Sequence, residues 1–335
     1  MDPELSRQRA GGRQAAPISR SWHPQAGPRA RQLRATLNAT IRDFFAQAGV
    51  LEVETPLREA VGNPDPQLTP MPVGGASGLL RTSPEFALKR LVAAGSGPVF
   101  ELGRVFRGGE RGRFHHPEFT MLEWYRPGLG FAALIDECVA LLRTAGRLAG
   151  LSPRTAELSY EALLTAFLGE VPPSGEQALR QLLVSHCGVA EGDAKALNEA
   201  DCLDLLFVSA TEQLPADQIT VLRHFPAAQA ALATLEPGDP TVARRFEVFW
   251  GRLELANGYD ELRDAGELAE RLKAQSAQRE RAGQRQISAD PALLAAHASG
   301  LPACCGVSVG VDRLLMVLGG YDHIDQVLSF PEVWS

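Results

Sequence analysis

The chain has 335 residues, 45% of them hydrophobic, and a net charge of −7. That is enough apolar material for a sizeable core in one large domain or two ordinary ones. The acidic balance argues against nucleic-acid binding over the whole surface. No stretch approaches the roughly 18 apolar residues of a membrane span, and the N-terminus lacks the apolar segment of a secretory signal. The five cysteines (Cys138, Cys187, Cys202, Cys304, Cys305) show no CxxC pair or metal-ligand spacing, and the adjacent Cys304 and Cys305 read as packing residues. Free thiols fit a cytoplasmic protein.

Seven arginines stand against Asp2 and Glu4 in the first 35 residues. Residues 1–28 read as a flexible Arg-rich arm, either merely solvated or a contact for an acidic macromolecule. Pro28 opens a helix to about residue 48, with Leu33, Leu37, Ile41, Phe44 and Phe45 as its apolar stripe. A strand over 50–55 stops at Pro56, and a long Pro/Gly-rich loop fills 57–78. A helix over 84–94 and strands over 99–107 and 118–125 follow. Helices dominate a stretch of about 131–215, with breaks at Ser152–Pro153 and Pro172–Pro173. Strands return at 219–225 and 243–258, then a helix over 260–280, a strand over 306–310 and a helix from Val311. Two blocks of strands around a helical insertion predict an α+β fold with a mainly antiparallel sheet flanked by helices.

The segment FRGGERGRFHHPEFTMLEWYR (106–126) is the most telling. Alternation puts Phe119, Met121, Glu123 and Tyr125 on one strand face. A carboxylate among apolar neighbours is costly unless a cation meets it. The turn before it carries Arg107, Arg111, Arg113, His115 and His116, side chains suited to phosphate. Further on, a hairpin turn centred on Trp250–Gly251 sets Glu247 directly opposite Glu254. Facing carboxylates repel, and Mg²⁺ with phosphate oxygens would resolve the conflict; a different register would leave both merely exposed. Glu261 stands at the mouth of the next helix, where an acid also suits the helix dipole. In CGVSVGVDRLLMVLGG (305–320), Arg313 occupies a helix start, a place that favours anions. A bound phosphate there would explain the arginine. Thr82–Ser83–Pro84–Glu85 reads by itself as an ordinary helix start.

These segments together resemble the class II aminoacyl-tRNA synthetase catalytic domain over roughly residues 30–330. The helix and strand ending in VETPL are similar to its dimer-forming first motif, FRGGERGRFHHPEF to the second and GVSVGVDRL to the third. SPEFALKRL, HPEFTMLEWY and ELANGYDEL are similar to lysyl-tRNA synthetase. Only about 30 residues precede the first motif, too few for that enzyme's anticodon-binding OB domain. The chain therefore resembles the shorter elongation factor P–lysine ligase family.

That resemblance implies ATP-dependent activation of (R)-β-lysine, or lysine, and its transfer to a lysine side chain of elongation factor P. It implies a homodimer, and it makes tRNA an unlikely acceptor. Its alternatives are a truncated synthetase that charges tRNA and a non-catalytic paralogue. By position, Arg107 would hold the α-phosphate and Arg313 the γ-phosphate, and Phe119 would stack on adenine. Glu110, His115, His116, Leu255 and Gly310 would complete the ATP site, and Glu247 and Glu254 would hold Mg²⁺. Ser83, Glu85, Glu123, Tyr125, Asn257, Glu261 and Ser308 would form the amino-acid pocket. The family's second motif has a glutamate two residues after its arginine, where this chain has Gly109 followed by Glu110. His116 stands where the family usually has Asn, and Ser308 where lysyl-tRNA synthetases have glycine.

Overall fold

Proline at position 28 opens the first helix of the computed structural model, which describes residues 22–74 and 78–331. In α1 (Pro28–Gln47), Leu37, Ile41 and Phe45 recur every four residues and are fully buried. Gly49 follows with φ +67, a left-handed conformation that glycine adopts without strain. Next come β1 (Leu51–Glu52), β2 (Arg58–Glu59), β3 (Met71–Pro72), β4 (Leu79–Leu80), α2 (Glu85–Ala93), β5 (Val99–Phe106) and β6 (Glu118–Pro127). The middle of the chain gives α3 (Phe131–Leu148), β7 (Arg154–Ser159), α4 (Tyr160–Leu168), α5 (Glu176–Cys187), α6 (Glu191–Ala194) and α7 (Glu199–Thr211). It ends with β8 (Gln218–Pro226), β9 (Leu235–Glu236), β10 (Asp239–Trp250), β11 (Leu253–Asp260), α8 (Ala265–Arg281), α9 (Pro291–Ala298), β12 (Cys304–Gly310) and α10 (Val311–Gly319).

The main sheet runs β1-β5-β6-β12-β11-β10-β8-β7, with β9 beside β10. Its centre is antiparallel, and only the outer pairs β1/β5 and β7/β8 are parallel. One face carries the core: Leu122 and Trp124 of β6, Val307 and Val309 of β12, and Phe246 and Val248 of β10 pack against α1, α3 and α10. Phe45 stacks on Phe100 at 4.6 Å and meets Trp124 edge-on at 5.2 Å. Burying one such ring contributes on the order of 2–3 kcal/mol. The alternate residues of the same strands face the other way and line a cavity.

The mainly antiparallel sheet flanked by helices is as the sequence predicts, but several boundaries differ. The 50–55 strand pairs only at Leu51–Glu52, because Pro56 and the loop turn the chain away. The helical stretch of 131–215 contains a strand, β7, which extends the sheet edge beside β8. Its first helix, α3, belongs to the main core, while α4, α5 and α7 close a second core around Leu179, Leu183 and Leu206. The 260–280 helix starts only at Ala265, so Glu261 directly follows β11, bridged to Ala233, and is not at a helix start. The hairpin turn falls at Gly251–Arg252, and Glu247 faces Asn257 while Glu254 faces Phe249. A register shift at Val248/Phe249 leaves Leu255 as an extra residue in β11, which overturns the direct Glu247–Glu254 opposition. Most of the Arg-rich arm lies outside the described residues.

Candidate active site

A cavity of about 450 Å³ opens on the face of the sheet away from α1 and α3. Every residue assigned to the site by position lines it, from Ser83 and Glu85 through Arg107 and Glu123 to Ser308 and Arg313, whereas Arg111 and Arg113 of the basic turn do not, and Arg113 pairs with Asp322. Strand β6 delivers Phe119, Met121, Glu123 and Tyr125, and β12 delivers Gly306, Ser308 and Gly310. The bulge at Leu255 changes the parity of β11, so that Glu254 shares the cavity with Asn257 and Tyr259. A regular strand would have turned Glu254 or the other two toward the core. Glu247 and Glu254 thus meet the same space without facing one another in register.

One end is cationic. Arg313 donates to the Glu254 carbonyl (3.0 Å), lies 3.5 Å from the Glu254 carboxylate and bonds His115 Nε2 at 2.6 Å. Burial, with Arg313 beside it, pulls the His115 pKa down, so the neutral ring accepts this bond. Arg107 lies over the Phe119 ring, 5.2 Å from its centroid, and its Nη1 is 3.8 Å from Glu110. Gly109 has φ +78, so a larger residue there would be strained, and the neighbouring Glu110 is the acid that reaches the cavity. His116 is buried, with ring nitrogens 2.7 Å from the Glu118 carbonyl and 2.9 Å from the Pro331 carbonyl, so its polar atoms engage the backbone.

The other end is anionic. Ser83 and Tyr125 donate to Glu123 at 2.8 and 2.7 Å. Burial and the charge of Glu85 push the Glu123 carboxyl up to about 7. Glu261 is fully buried, and burial raises it to about 8 even though Lys89 opposes the shift. Glu261 Oε1 and Asn257 Oδ1 are buried acceptors without a hydrogen-bond donor. Such atoms are costly unless a ligand supplies N–H groups. Gly306 makes the room: a Cβ there would lie 2.4 Å from Tyr125 Cε1 and 2.6 Å from Glu261 Oε1. Ser308 pairs with Glu123 across the strands, and its hydroxyl is 3.4 Å from the Asn257 carbonyl.

Sequence reasoning missed several contributors. Arg245 lies two residues from Glu247 on the same strand face and bonds its carboxylate; period-two alternation contained that signal. Lys89 bridges Glu85 and Glu261, and a lysine on the same helix face as Phe86 and Val92 was the clue. Asp312 is buried and accepts from Thr120 N at 2.6 Å and from Arg34. The loop residues Asn63, Asp65, Gln67 and Leu68 reach the cavity because Arg279 donates to the Asp65 and Leu68 carbonyls at 2.8 and 2.6 Å. No local pattern announces that last contact, which joins residues more than 200 apart.

Fold and cavity together define a synthetase-like domain, and the family described as tRNA synthetases class II (D, K and N) matches residues 28–333. Within that class, the elongation factor P–(R)-β-lysine ligase of Vibrio cholerae is 42% identical over 320 residues, which is 92% of this chain and 97% of that protein. The ligase of the same name from Vibrio vulnificus is 41% identical over 92% of this chain and 98% of its own length. That from Yersinia pestis is 42% identical over 93% and 97%. The chain belongs to this elongation factor P–(R)-β-lysine ligase family of class II synthetase-like proteins.

Proposed function

We propose that the protein activates (R)-β-lysine, or lysine, with ATP and transfers it to a lysine ε-amine of elongation factor P. The observation that carries this reading is one cavity with arginines at one end and three carboxylates at the other, the buried Glu123 and Glu261 and the partly buried Glu85. A diamino acid presents ammonium groups to the carboxylates and its own carboxylate toward the arginines.

In the first step a substrate carboxylate oxygen attacks the α-phosphorus, the bond to the bridging oxygen breaks, and pyrophosphate leaves. Arg107 holds the α-phosphate and Arg313 the γ-phosphate, so positioning and charge neutralisation do most of the work. Adenine stacks on Phe119, with Glu110 in the role of the motif glutamate and His115, His116, Leu255 and Gly310 around the nucleotide. Glu247 and Glu254 suit Mg²⁺, which takes one or two carboxylates plus phosphate oxygens. Their mutual repulsion helps raise Glu247 to about 7 after burial, despite Arg245, so a cation between them is favoured. When bound, Mg²⁺ would neutralise phosphate charge. Ser83, Tyr125, Asn257 and Ser308 orient the amino acid with the three glutamates.

In the second step the acceptor amine attacks the acyl carbonyl and AMP leaves. A lysine ε-amine has a pKa of about 10.4 and must first lose a proton. The reading also places the protein in the cytoplasm as a homodimer joined through α1 and β1, where Leu51 is exposed on the edge strand. No helix among the described residues is long and apolar enough to cross a membrane.

The site assignment is tested by Glu261→Gln in amino-acid-dependent ATP–pyrophosphate exchange. Loss of a buried charge partner costs several kcal/mol, so the amino-acid KM should rise about 100-fold with the ATP KM within about twofold. An equal rise in both would remove Glu261 from the amino-acid pocket.

A further inference from the structure

Behind the anionic end lies a buried cation that belongs to the protein. Lys89 is 1% exposed and does not line the cavity. Its Nζ stands 2.7 Å from Glu85 Oε1 and 2.6 Å from Glu261 Oε2. Glu85 is one helical turn away on α2, whereas Glu261 directly follows β11. The Tyr125 ring centroid is 6.0 Å from Nζ. His297 of α9 and Cys304 of β12 also sense its charge, and both are buried. Burial alone would pull the ammonium down, but Glu261 and Glu85 together reverse this and raise its pKa, so Lys89 is a permanent cation.

Three carboxylates against one ammonium leave the fully ionised pocket with two negative charges. A lysine-type substrate carries two ammonium groups. Lys89 forms an ion pair with Oε2 of Glu261 at 2.6 Å and leaves Oε1 without a donor, facing the space that Gly306 vacates. We infer that Lys89 is a built-in counter-ion that sets the charge of this pocket and aims Glu85 and Glu261, and so determines selection of a diamino acid. The inference rests on the amino-acid reading of this end of the cavity. Lys89 is a positioning residue, since it acts through the two glutamates. Without it, Glu85, Glu123 and Glu261 would crowd one pocket with no internal cation, and protonation would relieve the repulsion. A pocket that holds still more protons than the wild type's binds ammonium groups less well and tolerates an uncharged side chain better.

The test compares wild type, Lys89→Met, Lys89→Gln, Lys89→Arg and Glu123→Gln in ATP–pyrophosphate exchange. The substrates are (R)-β-lysine and its analogue without the terminal amine, and melting curves establish which variants fold. The neutral variants should raise the (R)-β-lysine KM at least about tenfold, leave the ATP KM within about twofold, and shrink the preference for the diamine about tenfold. Lys89→Arg should keep that preference within about threefold, because it keeps the charge. If a folded neutral variant keeps the wild-type preference, or loses amino-acid and ATP affinity equally, the inference fails. If neither neutral variant folds, Lys89→Arg decides: loss of the preference in the folded variant overturns the inference, and its retention supports it. Wild type that ignores the diamine overturns the amino-acid reading itself, and the inference with it. Damage by Glu123→Gln alone, with the neutral Lys89 variants unaffected, overturns only the role of Lys89.

Discussion

Glu123, Glu247 and Glu261 hold protons far above the ordinary carboxyl value of 4.5, to about 7, 7 and 8. Burial is the first cause in each case. The charge of Glu85 adds to it at Glu123, Arg245 opposes it at Glu247, and Lys89 opposes it at Glu261. The folded protein therefore binds these protons more tightly than the unfolded chain does. Their contribution to stability is complete below the unfolded value and is lost as pH rises through 7 to 8. The melting temperature of the free protein should fall between about pH 5 and pH 8.5, and Glu123→Gln should flatten part of that slope. An unchanged slope in Glu123→Gln would mean that this carboxyl is not held in its neutral form. A saturating diamino acid should stabilise the protein more at the upper end of the range, where its ammonium groups meet ionised carboxylates.

Among the elements, the joint between α1, β6 and α10 matters most for the cationic end. Asp312 stands beside Arg313 at the start of α10, 1% exposed, and takes Thr120 N of β6 and the Arg34 guanidinium of α1. Arg34 also donates to the Val327 carbonyl at 2.9 Å. This clamp fixes Arg313 relative to Phe119, the residue before Thr120 in β6. Asp312→Asn removes a charge-assisted bond from the partly buried Arg34 guanidinium, which keeps the Val327 carbonyl, a cost of about 1.5–3 kcal/mol. It should lower the melting temperature and raise the ATP KM more than the amino-acid KM; an unchanged ATP KM would show that Arg313 holds its place without the clamp. At this scale the sequence was legible where periodicity ran long, as in α1 and β6. It misled where one residue changes parity. The extra Leu255 in β11 leaves no mark in composition, so a regular hairpin put Glu247 against Glu254 when Asn257 is the partner. Strand β7 was hidden for another reason: six residues inside a helical stretch, stabilised by pairing with β8 and not by a pattern of their own.

Across the whole molecule the cavity is a charge-separated slot, with Arg107 and Arg313 near Glu247 and Glu254 at one end and Glu85, Glu123 and Glu261 at the other. Most of its lining was readable because functional residues break local rules: a glutamate on an apolar strand, an arginine at a helix start. The residues that hold the lining in place obey no such rule. Arg279 pins the 63–68 loop from across the chain, and Lys89 joins two carboxylates, Glu85 and Glu261, that lie far apart in the sequence. The central claim is tested most directly by transfer of radiolabelled (R)-β-lysine, with ATP, to purified elongation factor P, with lysine tRNA as a parallel acceptor. Label on elongation factor P, dependent on ATP and lost in Arg313→Ala, is the predicted result. Label on tRNA alone, or on neither acceptor, would contradict it.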